Sequence, residues 1–218
     1  MLERVPPKRR QTGQKLLRYD RALGARFVAG ADEAGRGPLA GPLVVAGVCL
    51  DYACLRDHRV RPLALLNDSK QVDPETRDEL YRAVLACAER VSVHVYPAAV
   101  IDRDGLHKSN LAGLRAALWA CQPADVCLVD GFKLGSLAPP HRAVVDGDTK
   151  SAAIAAASIV AKVTRDRYMR TADALYPGYG FASHVGYITQ SHTEIVRERG
   201  PCEIHRRSWN ARAYQPAA

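Results

Sequence analysis

Hydrophobic positions along the chain change period several times, and the changes lay out a series of strands and helices. Residues 27–31 and 43–50 are short apolar, β-branched runs separated by G-R-G-P-L-A-G-P, which predicts two early strands paired antiparallel across a Gly- and Pro-rich connection. Between Pro74 and Arg90, Leu80, Val84, Leu85 and Ala88 recur at helical spacing, with Asp73 placed to cap the turn that Pro74 opens. Residues 91–96 alternate with period two and predict a third strand; Leu106, Leu111, Leu114 and Leu118 predict a helix over 106–121. Two brief strands follow at 126–129 and 143–145. Residues 151–169 form an Ala-rich helical stretch in which Ala153, Ala156, Ala157 and Ala161 make a face small enough for close approach to a sheet, with Asp148 or Thr149 available as its cap. From Pro177 the chain is punctuated by glycine and then helical. Strand pairs followed by alternating helices and strands point to an α/β protein, a mixed β-sheet flanked by helices.

A length of 218 residues suits one domain with appended segments. Residues 1–26, with Pro6-Pro7 and Lys8-Arg9-Arg10, read as a loosely packed basic arm with a short helix over 15–23; residues 27–190 form the body, and 191–218 a helical segment packed on it. The net charge of +8 belongs to the ends: eight Lys/Arg face two acids in 1–26 and five face three in 191–218. Basic ends around a neutral body suit a polyanionic partner, although solubility alone also accounts for them. The longest apolar runs, 39–50 and 154–163, are too short or too interrupted to cross a hydrocarbon layer of roughly 30 Å. The basic N-terminus carries no apolar stretch of a secretory signal, so a cytoplasmic protein is expected. Six cysteines without a C-x-x-C pair are expected to be buried, reduced thiols, and seven histidines show no H-E-x-x-H spacing, so no zinc site is expected.

The candidate chemistry lies in carboxylates at predicted strand ends. Asp32-Glu33 ends the first strand ahead of Gly35-Arg36-Gly37. Neighbours in a regular strand point to opposite faces, so a shared site requires the strand to lose its regularity there. Asp130 closes V-C-L-V-D just before a glycine, and Asp146-Gly-Asp148 follows another short strand, leaving open which of these two aspartates faces the others. Clustered carboxylates suit hard divalent cations such as Mg²⁺ or Mn²⁺, and two such ions can serve phosphodiester hydrolysis. Ser158 and Lys162, four residues apart, share a helix face; Lys162 can equally pair with Asp166 one turn further on. His184 is expected to bond the backbone of its loop rather than carry protons.

Several segments, in order, resemble the motifs of the ribonuclease HII family: G-A-D-E-A-G-R-G-P-L-A-G-P-L-V-V-A, Leu66-Asn-Asp-Ser-Lys70, Leu128-Val-Asp-Gly131, Gly147-Asp148, Ala156 through Asp166, Tyr179 through Tyr187, and His205-Arg-Arg-Ser-Trp209. Gly105 and Trp209 depart from the family's usual Asn and Phe. The resemblance implies a ribonuclease H-like fold and Mn²⁺ or Mg²⁺, with Asp32, Glu33, Asp130 and Asp148 as catalytic, metal-binding acids, which favours Asp148 over Asp146. It implies a monomer that cuts the RNA strand of RNA/DNA hybrids and nicks DNA 5′ to embedded ribonucleotides, leaving 5′-phosphate and 3′-hydroxyl ends. Gly35, Arg36 and Gly37 would then read the ribose 2′-hydroxyl and Tyr187 would pack on the next sugar, while Ser69, Lys70, Ser158 and Lys162 would meet phosphates. Other metal nucleases of the same fold, such as integrases or junction resolvases, need no such ribose reader. A non-enzymatic RNA-binding module has no use for four acids where phosphate must sit. Type HIII relatives carry an N-terminal substrate-binding domain, for which 26 residues are too few.

Overall fold

The computed structural model describes residues 12–55, 61–67, 69, 72–209 and 214. Five strands, β1 (Phe27–Ala34), β2 (Leu43–Asp51), β3 (Arg90–Tyr96), β4 (Val126–Asp130) and β5 (Arg142–Val144), form one sheet in the order β3-β2-β1-β4-β5. The first three pair antiparallel, and β4 and β5 join β1 in parallel. Parallel β1, β4 and β5 therefore end at one edge of the sheet, and the candidate acids lie there.

Around the sheet lie α1 (Gly13–Arg21), α2 (Pro74–Cys87), α3 (Ala98–Asp104), α4 (Leu106–Ala120), α5 (Ala152–Leu175), α6 (Phe181–His184) and α7 (Gln190–Arg199). One sheet face carries Val28, Val44, Val48 and Leu128 against the alanines of α5; the other carries Ala29, Ala31, Val45 and Val129 against Leu114 and Leu118 of α4. The small-residue face of α5 lets it lie almost on the backbone: a Cβ added at Gly30 would sit well inside van der Waals contact with the Ala153 carbonyl carbon. Among the described residues no helix is long and apolar enough to cross a membrane.

Several elements differ from the sequence reading. Residues 13–21 are not a loose arm. Leu16 and Leu17 are buried in the main core, and Asp20 accepts a hydrogen bond from the Ala153 amide at the start of α5 and another from the Tyr52 hydroxyl. Ser151, not Asp148 or Thr149, caps α5, because residues 147–149 are taken up by a 3-10 turn. α5 also runs on to Leu175. An extra helix, α3, precedes α4 and is divided from it by Gly105 at φ +88°. Asp73 caps α2 through the Thr76 amide, as its position before Pro74 predicts, but Leu85 on that helix is exposed. Cys49, Cys121 and Cys127 are buried and Cys87 and Cys202 partly so, whereas Cys54 is exposed. Residues 200–209, expected to belong to a helical segment, are irregular and insert Arg206 into the interior.

Burial of Leu16 and Leu17 contributes about 3 to 6 kcal/mol to stability. Leu16→Ala and Leu17→Ala are each expected to lower stability by about 2 to 5 kcal/mol. An unchanged midpoint for both variants in thermal unfolding would contradict a core role for α1.

Candidate active site

A cleft of about 340 Å³ opens at the shared edge of the parallel strands, lined by Asp32, Glu33, Asp130 and Asp148. β1 stays regular through this point: Asp32 and Glu33 remain in register with Ala46 and Val45 of β2. The expectation that the strand breaks is therefore wrong. The two acids reach one cleft because it wraps the strand end from both faces. Asp32 follows the register of Val28 and Gly30 on the α5 side, as Asp130 follows Leu128 on the neighbouring strand. Glu33 follows Ala29 and Ala31 on the α4 side and holds Arg36, with its Oε1 3.3 Å from the guanidinium.

Backbone amides and neighbouring hydroxyls hold these acids in place. The Glu33 amide donates to Asp32 Oδ1 at 2.7 Å and the Gly147 amide to Asp130 Oδ1 at 2.7 Å. The second bond ties the end of β4 to the turn that carries Asp148. Asp146, at φ +51°, reverses the chain and is exposed, so strand alternation does not extend to it; Asp148 lines the cleft instead. Burial pushes the Asp32 carboxyl well above its usual range, and the charges of Glu33 and Asp130 push it the same way. Burial also raises Glu33, offset in part by the Arg36 charge.

Among the described residues no three or more carboxylate, imidazole or thiolate groups already close on one point as a finished ion cage. The four acids surround the cleft, and each of Asp32, Glu33 and Asp130 has a local partner. The donor set is all oxygen, anionic and partly desolvated, which fits a hard divalent cation that retains water and substrate ligands.

The loop after β1 forms the next wall. Gly35 is left-handed at φ +96°, and a side chain there would collide with Arg165 and the Pro42 carbonyl. The ring of Tyr187 lies 3.8 Å from where a Cβ would stand on Gly37, so the loop and Tyr187 adjoin. Tyr187 is 40% exposed, leaving ring surface available to a ligand. Ser69 and Ser158, distant in sequence, meet with hydroxyl oxygens 3.1 Å apart beside Asp32. Lys162 lines the cleft and also reaches Asp166 at 2.8 Å, so the alternative ion pair is present. Lys70 lies outside the described residues. His184 bonds the Tyr179 carbonyl and the Gly186 amide, a backbone-bound loop histidine.

Three residues escaped the sequence reading. Arg165 lines the cleft and Arg206 lies behind the loop, both fully buried. Asn110 of α4 is 1% exposed and lies near enough to Glu33 to favour its charged form, and its side-chain amide completes no full hydrogen bond among the described residues. Arg165 stands two helical turns after Ser158, a spacing that places both on one face. Arg206 stands inside the His205-to-Trp209 segment that resembles the family, where no role was read for it, and nothing local in the sequence marks Asn110.

The sequence matches the ribonuclease HII family model over residues 29–212. It is 48% identical over 212 residues to a ribonuclease HII of Salinispora arenicola, covering 94% of this chain and 76% of the relative. Among solved structures it is similar to the ribonuclease H2 of Pyrococcus horikoshii, at 28% identity and a TM-score of 0.71, covering 84% of this chain and 94% of that one. It is also similar to the ribonuclease HII of Archaeoglobus fulgidus solved as a complex with PCNA, at 25% identity and a TM-score of 0.72, covering 85% and 96%.

Because the folded protein raises the Asp32 pKa, the charged form opposes folding; that cost accumulates as pH rises from the unfolded value near 3.8 to the higher folded value and is fully present above it. Asp32→Asn is therefore expected to raise stability at high pH, on the order of 1 kcal/mol. Denaturation over a pH series checks this. A variant less stable than the parent at high pH would contradict the electrostatic account.

Proposed function

The chain belongs to the ribonuclease HII family of ribonuclease H enzymes, and from that premise we propose that it hydrolyses the RNA strand of RNA/DNA hybrids and nicks DNA on the 5′ side of embedded ribonucleotides. The observation that carries this reading is the single cleft shared by the four acids, the Gly35-Arg36-Gly37 loop and Tyr187. Cleavage there leaves 5′-phosphate and 3′-hydroxyl ends, and one chain supplies every group, so a monomer suffices.

In this reading Asp32, Glu33, Asp130 and Asp148 hold magnesium or manganese, two ions during catalysis. Such ions supply the water activation and charge neutralisation that phosphodiester hydrolysis requires. The residues around them choose the bond. Main-chain groups of Gly35 to Gly37 approach a ribose closely enough to bond its 2′-hydroxyl, the group that distinguishes RNA from DNA. Tyr187 packs on the following sugar and fixes the scissile phosphate between loop and acids. Ser69, Ser158 and Lys162, with Lys70, take neighbouring phosphate oxygens, Lys162 exchanging its Asp166 contact for one of them.

A duplex DNA containing one ribonucleotide, incubated with magnesium, manganese or EDTA, tests the activity. Cleavage 5′ to the ribonucleotide that requires a divalent ion is expected; absence of any cut in either metal would sink the proposal. Asp130→Asn and Asp148→Asn should each reduce turnover by about a hundredfold or more, because they remove ligand charge at nearly constant volume, while Asp146→Asn should be mild. The reverse ranking of Asp148 and Asp146 would show that the other aspartate serves the site. Tyr187→Ala should lower the single-turnover rate on the embedded substrate about tenfold or more with metal affinity retained. An unchanged rate would remove Tyr187 from recognition.

A further inference from the structure

The two surfaces assigned above to sugar reading, the 35–37 loop and Tyr187, come from distant parts of the chain. Both are held by the same short segment. Arg206 is fully buried and divides its guanidinium among three main-chain carbonyls: Nη2 donates to Gly35 at 2.6 Å, Nη1 to Arg36 at 3.1 Å and Nε to Gly41 at 3.0 Å. Its own amide donates to the Leu39 carbonyl, and the Gly41 amide donates to the Ile204 carbonyl. The loop is thus strapped to residues 204–206 by side chain and main chain together.

The preceding residue, His205, reaches the other surface. The Cys202 amide donates to its Nδ1 at 3.0 Å, which places the His205 proton on Nε2. That proton faces His192 Nε2 at 3.0 Å, so His192 carries its own proton on Nδ1 and donates it to the Tyr187 carbonyl at 2.8 Å. Burial pushes His205 down to about 4, consistent with a neutral relay. The Leu39 and Ala40 amides both donate to the Gly186 carbonyl, and Arg165 bonds Ala40, Pro42 and Val185, so loop and tyrosine segment are also tied directly.

We propose that the His205-Arg206 pair is a positioning unit for junction specificity, fixing the spacing between the ribose-reading loop and Tyr187. A buried guanidinium is costly to desolvate and here makes no carboxylate ion pair within the described chain. Its rigid planar fork is the side chain suited to holding several carbonyls at fixed relative positions. A lysine in its place retains charge but cannot span all three. The spacing matters most for a single ribonucleotide in DNA, where ribose and following deoxyribose must be engaged together in one register. A long hybrid offers a ribose in every register. The inference rests on the sugar-reading roles proposed above.

The test compares single-turnover rates on a duplex with one embedded ribonucleotide, a long RNA/DNA hybrid and an all-DNA duplex, with Mn²⁺ affinity and melting temperature measured for each protein. Arg206→Lys is expected to lower the embedded-to-hybrid rate ratio about tenfold while Mn²⁺ affinity stays within about twofold. A merely structural role would instead lower both rates together and leave the ratio alone. Folded Arg206→Lys with an unchanged ratio overturns the proposal. Should that variant fail to fold, Asp102→Ala decides. Asp102 is partly exposed on α3 and accepts from the Arg207 and Ser208 amides, so its loss loosens the same segment from outside. A severalfold fall in the ratio supports the unit, and an unchanged ratio overturns it. Parent protein that cuts all-DNA duplex as fast as the embedded substrate sinks the sugar-reading roles and this inference together, whereas sugar preference with unchanged variant ratios sinks the inference alone.

Discussion

Helix α5 lies almost in contact with the backbone of strand β1, and the site depends on that packing. Because Gly30 has no side chain and Ala153 a minimal one, the helix start rests almost on the strand. That contact fixes the position of everything α5 carries. The 3-10 turn that leads into it presents Asp148, its first half Ser158 and Lys162, and its middle the buried Arg165. Asp20 from α1 and the Ser151 hydroxyl bond the free amides at the start of α5, so the end nearest the acids is held against fraying.

Charge placement follows from this packing and opposes it. The cleft gathers carboxylates whose burial and mutual repulsion favour protonation, most strongly at Asp32. Beside it are two buried guanidinium groups, Arg165 in its wall and Arg206 behind the loop, whose donors go to carbonyl oxygens of the loop after β1 and of Val185. Neither set is what a stability-optimised core would contain. In the proposed reading the acids serve as a site for cations. The arginines convert a Gly- and Pro-rich connection, which would otherwise be mobile, into a surface of fixed main-chain groups. Flexibility in sequence thus becomes precision in structure, because glycine allows the close approach and buried donors remove the freedom that glycine brings.

Much of the architecture was legible along the chain because its signals are local. The antiparallel β1–β2 pair, the alternating β3, the Asp73 cap and the small face of α5 each follow from neighbouring residues and from a period of 2 or 3.6. Where two local signals competed, the reading failed. The short helix expected over 15–23 is present as α1, but Pro6-Pro7 and the basic run obscured the burial of its two leucines, and Gly105 hid α3 by standing between two helices.

The sequence by itself determined which residues carry charge at strand ends, their order, and the family motifs that join them. Period and composition also sufficed for the sheet class and its flanking helices. Tertiary structure alone decided how neighbouring Asp32 and Glu33 reach one cleft from opposite faces of an unbroken strand, and that Asp148 rather than Asp146 turns inward. It alone brought Ser69 to Ser158, Asn110 toward Glu33, and His205-Arg206 to both the loop and Tyr187. The physical reason is that local pattern reports which face of an element seeks burial, whereas these meetings join residues as many as 171 positions apart. They are set by how helices and loops close over a finished sheet, when every buried donor must find an acceptor wherever the chain has placed one.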